Sequence, residues 1–175
     1  MALRFGLARF GILVIASSLI LSAPAAVAAR SMAPAAQTKT TTSYVFKLSI
    51  GMSEQMWTLA QVKSKHPKTG EVMISGAMGG GMSMGGSMRH LEVHITSRAT
   101  GKVVTGAHPS ITMIDLSAKN AMTSKVPVAV MEGVGAGTAD LHYGNNVHMV
   151  VGHTFRVTVT LNGERAVFQI KVPAA

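Results

Sequence analysis

Strict alternation of apolar and polar residues constrains this chain more than any other feature of its sequence. It is clearest in residues 155–161 and 166–172, which flank the dipeptide Asn162-Gly163. Alternation is typical of a strand with one buried face, and Asn-Gly between two such segments is the strongest short signal for a hairpin turn. The end of the chain is therefore predicted to be an antiparallel hairpin.

Similar segments recur along the chain, separated by turn-forming residues. They cover residues 44–50, 71–75, 90–95, 102–104, 111–116 and 126–131. Residues 53–63 fit either a short helix capped by Ser53 or another strand. Seven or so short strands with hardly any helical periodicity predict an all-β fold, an immunoglobulin-like antiparallel β-sandwich.

The first 29 residues have the pattern of a signal peptide. Arg4 and Arg9 lead into an apolar run at residues 10–21, and small residues follow at 26–29. We expect cleavage near Ala28 or Ala29 and export to the periplasm, because the run is shorter than the about 20 residues of a membrane span. Residues 30–42 lack periodicity and are predicted to be a disordered tether. Residues 43–175 would then form one domain.

Composition excludes several classes of site. The chain contains no cysteine, which excludes disulfides, zinc–thiolate sites, iron–sulfur clusters and blue-copper centres. The formal net charge is +9, but the lysines and arginines are scattered and few aromatic residues are present to stack on bases. Nucleic acid is therefore not expected as a partner, and the charge favours solubility and attraction to anionic surfaces.

The strand predicted at residues 90–95 has one chemically distinctive face. Because side chains alternate along a strand, His90, Glu92 and His94 share a face. Two imidazoles and a carboxylate suit a transition metal, although a polar strand face in contact with solvent would have the same pattern.

A glycine–methionine tract at residues 76–86 precedes this strand and is predicted to be a mobile loop near it. The methionines of interest are Met78, Met82, Met84 and Met88. Since thioethers select Cu(I), we expect these four residues to assist in Cu(I) capture. The alternatives are packing or a spacer role.

A second distinctive segment, DLHYGNNVHM, covers residues 140–149. Residues 144–146 favour a bend, which would leave His142 and Tyr143 just before it, where a loop presents side chains to a site.

Together these two segments resemble the signature of a family of periplasmic metal-binding proteins that accompany bacterial ferrous-iron uptake permeases and include a treponemal lipoprotein antigen. The shared features are a His-Leu-Glu strand at residues 90–92 after a Met/Gly-containing loop, and His-Tyr-Gly at residues 142–144 followed by Asn146-Val147, Met149 and Gly152. The resemblance implies an immunoglobulin-like sandwich that commonly forms a homodimer. It also implies a centre for copper, or for iron or another divalent transition metal, built from histidines and a methionine with a glutamate alongside.

Residue by residue, the resemblance implies a metal site at His90, Glu92, Met131 and His142. Met131 lies eleven positions before His142, a wider gap than in the family. The family supplies a further histidine from a long connection near the C-terminal end, which is here reduced to the predicted hairpin turn. His148, His153 or a methionine of the tract are candidates to replace that ligand.

Two functions from different classes follow. In the first, the protein is exported, binds copper or iron, and passes the ion to an inner-membrane metal permease or another partner. In the second, it is an immunoglobulin-like interaction module that binds a protein or the cell surface with a basic face. An enzyme is not expected, because no Ser/His/Asp arrangement, paired carboxylates or cofactor fingerprint is visible. The distances between the candidate ligands in the folded protein distinguish the first two functions. Metal–ligand bonds span about 2 Å, so ligands more than ~10 Å apart cannot share an ion, and such a separation would favour the interaction module.

Overall fold

Alternating segments form most of the strands. The computed structural model describes residues 35–76 and 87–173, which belong to one compact unit. In chain order the elements are Ala35–Thr40 (β1), Tyr44–Met52 (β2), Met56–Thr58 (β3), Leu59–Lys65 (α1), Glu71–Ser75 (β4), Met88–Ser97 (β5), Ser110–Asp115 (β6), Thr123–Val126 (β7), Ala129–Gly133 (β8), a 3-10 helix at Gly137–Asp140, His142–His148 (β9), Thr154–Leu161 (β10) and Glu164–Lys171 (β11). None of the helices in these described ranges is long and apolar enough to cross a membrane.

The strands form two sheets. The larger has seven strands in the order β1-β2-β5-β9-β8-β4-β3, and the smaller has four in the order β11-β10-β6-β7. All pairings are antiparallel except that of β3 with β4. Alternate residues of both sheets pack into one apolar core, which includes Phe46, Leu48, Leu91, Val93, Ile95, Tyr143, Val157 and Phe168. The predicted all-β sandwich is confirmed, and its immunoglobulin-like character stays a prediction.

The C-terminal hairpin forms as predicted. β10 and β11 pair along their whole length, from Thr154 with Lys171 to Leu161 with Glu164. Asn162 and Gly163 have φ angles of 48° and 79°, and two successive positive φ angles are what the favoured two-residue hairpin turn requires.

The expectation of a disordered tether at residues 30–42 is wrong for residues 35–40. They form β1, which pairs with β2 from Ala35 with Ile50 to Thr40 with Val45. The amide of Gln37 also donates to the backbone oxygen of Gln169 at 2.6 Å. β1 is a mostly exposed edge strand, so backbone pairing holds it in place and it needs no apolar periodicity. The domain thus begins before residue 43, whereas the predicted signal peptide lies outside the described residues.

The single strand predicted at residues 126–131 is two strands in different sheets. β7 ends at Val126 in the smaller sheet, and β8 begins at Ala129 in the larger one. Pro127 lies at the crossing. Proline has no amide hydrogen and cannot continue a hydrogen-bonded ladder, so the chain changes sheets there.

Two shorter expectations also change. Residues 53–63 contain both predicted alternatives, because β3 and the start of α1 lie within them. The helix is capped by Thr58 rather than by Ser53, and Thr58 exchanges hydrogen bonds with Gln61 in a capping box. Of residues 102–104, only Val103 forms an isolated bridge, with Thr96.

Candidate metal centre

Strand register brings the four residues of the predicted metal site to the outer face of the larger sheet, with Glu92 two positions along β5 from His90. On β5, His90 pairs with Asn146 of β9. On the other side of β9, His142 pairs with Met131 of β8. Directly paired residues project from the same face. His90, Met131 and His142 therefore share the face opposite the main core, and all three are buried.

Residues 144–146 lie inside β9, so the predicted bend is wrong. Gly144 pairs with Glu92, and a Cβ at Gly144 would collide with the backbone oxygen of Leu91. The glycine is required for the close approach of two strands rather than for a turn. His142 begins β9 instead of preceding a loop, and Tyr143 packs in the core, where its hydroxyl donates to the Val104 backbone oxygen at 2.7 Å.

The imidazoles of His90 and His142 meet inside the protein. Their exposed fractions are 0% and 1%, and their Nε2 atoms are 3.5 Å apart. His90 Nδ1 lies 3.0 Å from Asn146 Oδ1, and His142 Nδ1 lies 2.8 Å from the backbone oxygen of Asp140. Both partners are acceptors, so in the neutral rings each Nδ1 carries the proton and each Nε2 presents its lone pair. This arrangement orients histidine for a metal ion.

The orientation of the Asn146 amide is set by Glu54, which lies between β2 and β3. Asn146 Nδ2 donates to the Glu54 backbone oxygen at 2.7 Å, and Asn146 Oδ1 accepts the Glu54 backbone N–H at 3.1 Å. Because the oxygen side of the amide is fixed in this way, His90 can only donate to it. The tautomer of His90 therefore follows from the backbone.

A third group completes the cluster. Glu71, the first residue of β4, is 5% exposed, and its Oε2 lies 3.5 Å from His142 Nε2. That oxygen has no hydrogen-bond partner among the described residues. Burial, together with the nearby charges of Glu54, Glu92 and Asp140, raises the pKa of Glu71 to about 8. Without a cation, the carboxyl group holds a proton at neutral pH.

His142 and Glu71 are therefore not an ordinary ion pair. Burial lowers the pKa of His142, although the hydrogen bond to Asp140 opposes the shift. Both partners are consequently neutral near pH 7. One ligand atom each from Glu71, His90 and His142 lie within 4.8 Å of one another, and two imidazoles with a carboxylate form a donor set that suits Zn(II), Fe(II) and Cu(II).

Glu92, the fourth residue of the predicted site, lies between two histidines of its own strand. Its Oε1 is 4.0 Å from His90 Nε2 and its Oε2 is 3.5 Å from His94 Nε2. Burial opposes ionisation of Glu92, but the hydrogen bond with His94 and the charges of the neighbouring histidines outweigh it and lower the pKa. Glu92 is thus a carboxylate at neutral pH. Neither group of three mutually close ligand atoms includes it.

The second such group consists of His94, Asp140 and His142. The ring centroids of His94 and His142 are 5.3 Å apart. His94 and Asp140 are half-buried, in contrast to the buried first group. His142 belongs to both groups.

Met131 packs in a small apolar cluster with Met56, Ala129 and Met73 on the ligand-bearing side of the sheet. Its thioether thus comes from the strand next to that of His142.

The auxiliary candidates are placed elsewhere. Met88 pairs with the exposed His148, which lies six residues along β9 from His142, or about 20 Å in a strand. His153 binds Asp115 of the smaller sheet, with Nδ1 and Oδ2 2.7 Å apart. Met78, Met82 and Met84 lie outside the described residues, as does the predicted mobile loop around them.

Glu71, Asp140 and Asn146 were not indicated by the sequence. Alternation does place Glu71 and Met73 on one face of the predicted strand at residues 71–75, and Asp140 lies two residues before His142. No local signal shows that β4 lies next to β8, which is what brings Glu71 to His142. The sequence predicts a bend at Asn146. Its spacing of four residues from His142 is the one signal that the two side chains share a strand face.

Comparison with known proteins found no match: the chain matches no family model, no curated protein and no solved structure. The fold and the cluster define a two-sheet β protein with a buried group of two histidines and a carboxylate. The family resemblance stays a prediction.

Proposed function

We propose that this protein binds one transition-metal ion, with copper as the first candidate, at Glu71, His90 and His142. The observation that carries the proposal is the approach of two buried Nε2 atoms to 3.5 Å, each made a lone-pair donor by the hydrogen bond at its Nδ1. Beside them lies a buried carboxyl oxygen without a hydrogen-bond partner among the described residues. Unpartnered buried polar atoms cost stability, and a cation would give all three a partner.

The donor types favour copper. Imidazole suits Cu(II), and thioether sulfur selects Cu(I). The thioether of Met131 comes from the residue paired with His142. Fe(II) and Zn(II) also suit two histidines and a carboxylate and are the alternatives. Ca²⁺ and Mg²⁺ take shells of oxygen ligands, so this nitrogen-rich set disfavours them.

In this proposal the protein acts after export to the periplasm and passes the ion to a partner such as an inner-membrane metal permease. Support comes from the signal-peptide pattern and from the resemblance described above. Loss of the predicted leader would leave residues 35–173, and hence the whole cluster, in the mature chain.

A second candidate is an interaction module, favoured by the outer face of the smaller sheet. Its outward-facing strand residues include four cations, Lys125, Arg156, Arg165 and Lys171, and no acidic residue in the described strands. Such a face attracts anionic partners. The two functions use opposite faces of the sandwich and make different predictions for the histidines.

Titration of the purified mature protein with Cu(II), Zn(II) and Fe(II), against a chelator of known affinity, tests the proposal. We expect one ion per chain, and a loss of affinity of about 10–100-fold or more in Glu71→Gln and His142→Ala. The matched control is His108→Gln, which removes an exposed loop histidine. Wild-type protein that binds no metal, or binding unaffected by His142→Ala, would refute the metal function and leave the anionic-partner candidate.

A further inference from the structure

We infer that His94, Asp140 and His142 form a second, outer metal position through which a transition-metal ion reaches the buried one. The inference rests on the proposed function and adds to it the route by which the ion enters and leaves. One ligand atom from each of these three side chains lies within 4.8 Å of the other two.

Register explains why these residues meet. The pairs between β5 and β9 run as far as Val93 with Tyr143, so His94 and His142 are the next residues on the two strands. Asp140 ends the 3-10 helix just before β9. Its Oδ2 accepts the backbone N–H of Gly133 at 3.0 Å, which holds the carboxylate in place, and a carboxylate has a second oxygen with which to bind an ion.

The two positions differ in their access to solvent. The His94 side chain is 22% exposed and Asp140 is half-buried. Glu71 and His90, which complete the inner position, are 5% and 0% exposed. An ion arriving from solvent therefore meets His94 and Asp140 before it meets Glu71 and His90.

The shared ligand makes the two positions alternatives. His142 Nδ1 is occupied by its hydrogen bond to the Asp140 backbone oxygen, which leaves Nε2 with a single lone pair. One lone pair binds one ion, so the two positions hold one ion between them. His142 can remain bound while the other ligands exchange, and the ion is then never without a protein ligand.

Glu92 lies along this route. One of its oxygens is 4.0 Å from His90 Nε2 of the inner position, and the other is 3.5 Å from His94 Nε2 of the outer position. A carboxylate between the half-buried outer position and the buried inner one attracts a cation to the space between them. Glu92 thus places a carboxylate where an ion in transit would otherwise meet only imidazoles.

Cu(II) binding to the mature protein tests the outer position through kinetics. Stopped-flow fluorescence of Trp57, the one tryptophan of the chain, reports loading, and transfer to a chelator reports release. The outer variant is His94→Gln/Asp140→Asn, in which Asn keeps an oxygen that accepts the Gly133 N–H. We expect both loading and release of Cu(II) to slow by about tenfold in this variant, which is the low end of the range for electrostatic focusing. The Kd should then stay within about threefold of wild type, since lost entry and lost exit cancel.

The inner variants Glu71→Gln and Glu71→Gln/His90→Gln should retain one weakly bound Cu(II) with a changed electron paramagnetic resonance spectrum. Adding His94→Gln should remove it. The histidine control, His108→Gln, should match wild type in every measurement. Circular dichroism checks that each variant is folded. If the double variant Glu71→Gln/His90→Gln does not fold, the single variant Glu71→Gln takes its place in the test.

Three results would overturn the outer position. The first is loading of the outer variant at the wild-type rate. The second is a Kd for the outer variant raised as much as that of the inner variants, which would mean one site with all the ligands together. The third is complete loss of Cu(II) from a folded Glu71→Gln variant. Failure of wild type itself to bind metal would instead refute the proposed function.

Discussion

Two of the histidine–carboxylate pairs in this molecule lie on different sheets and respond to their surroundings in opposite ways. His153 and Asp115 approach to 2.7 Å on the smaller sheet. Burial would raise the pKa of Asp115, but hydrogen bonds from His153 and Ser117 outweigh it and lower the pKa. On the larger sheet, His142 and Glu71 are 3.5 Å apart, and burial raises the pKa of Glu71 to about 8 and lowers that of His142.

Solvent access and hydrogen-bond geometry explain the difference. The His153 side chain is 35% exposed, so its pair with Asp115 can carry charge while it is still hydrated. The side chains of His142 and Glu71 are 1% and 7% exposed, and isolated charges are costly in such surroundings. Closeness of a histidine to a carboxylate therefore does not identify a metal site. The proposed site rests instead on burial combined with two converging ring nitrogen atoms.

The largest expected effect separates the two histidines of these pairs. Metal at a thousandfold excess over its Kd should stabilise the native protein by about 4 kcal/mol if the unfolded chain does not bind it. His142→Ala should lose most of this gain, because His142 is the ligand common to both groups of close ligand atoms. His153→Ala should keep it.

Thermal unfolding of each mature variant with and without Cu(II) measures the stabilisation that the metal provides. Equal losses in His142→Ala and His153→Ala would remove the contrast between the sheets.

The next effect concerns the close approach of β9 to β5. Gly144→Ala should destabilise the metal-free protein by about 2–3 kcal/mol, because the added methyl group must displace the Leu91 carbonyl from a packed sheet. Gly51→Ala is the matched control on the neighbouring strand β2. A Cβ there meets no atom within 4 Å, so its effect should stay within about 0.5 kcal/mol. Urea unfolding measures both values, and equal losses would contradict the role given to Gly144.

The pH dependence of stability should have opposite signs for the two carboxylates. For Glu71 the folded pKa of about 8 lies above the ordinary glutamate pKa of 4.5. The native state therefore holds more protons than the unfolded state between these values, and stability falls as the pH rises from 4.5 to 8. Glu71→Gln should remove this fall, a gain on the order of 1–3 kcal/mol at pH 8 without metal.

For Asp115 the folded pKa lies below the ordinary aspartate pKa of 3.8. Its contribution is therefore complete above that pH and is lost as the pH falls through the folded pKa. Asp115→Asn should leave in place the fall in stability that Glu71 causes between pH 4.5 and 8. Chemical unfolding at several pH values measures the slopes, and a wild-type slope unaltered by Glu71→Gln would contradict the buried, protonated state of Glu71.

The smallest expected effect is that of the His153–Asp115 pair on stability at neutral pH. Asp115→Asn should lower the free energy of unfolding by less than about 1 kcal/mol, as is usual for ion pairs in contact with water. Unfolding in low and high salt measures the effect. A loss as large as that from Gly144→Ala would show that the smaller sheet depends on this pair.

Local patterns predicted much of the fold. The hairpin at Asn162-Gly163 and the apolar face of residues 90–95 depend on neighbours along the chain, and both formed as predicted. β1 could not be predicted in this way, because an exposed edge strand needs only the backbone of its neighbour. The break at Pro127 depends on which sheet each side of it joins, which is a question of packing.

The candidate site was predictable only in part. The sequence indicates His90 through its alternating strand and His142 through the segment at residues 140–149 and the family resemblance, and folding brings their Nε2 atoms to 3.5 Å. Glu71 reaches them because β4, β8 and β9 are adjacent in the sheet, although a long stretch of sequence separates β4 from the other two strands. Strand order is set by the global packing of the sandwich, and no local pattern carries it.

The hydrogen bonds at the two Nδ1 atoms, to Asn146 and to the Asp140 backbone, also have a consequence for stability. They restrict the rotation of both rings as the sheet forms, so the loss of side-chain entropy belongs to folding rather than to the proposed metal binding. The metal-free fold must also tolerate two electron-rich nitrogen atoms facing each other. Apolar residues at these positions would remove that cost together with the proposed metal site, a form of the conflict between stability and activity that is common at functional sites.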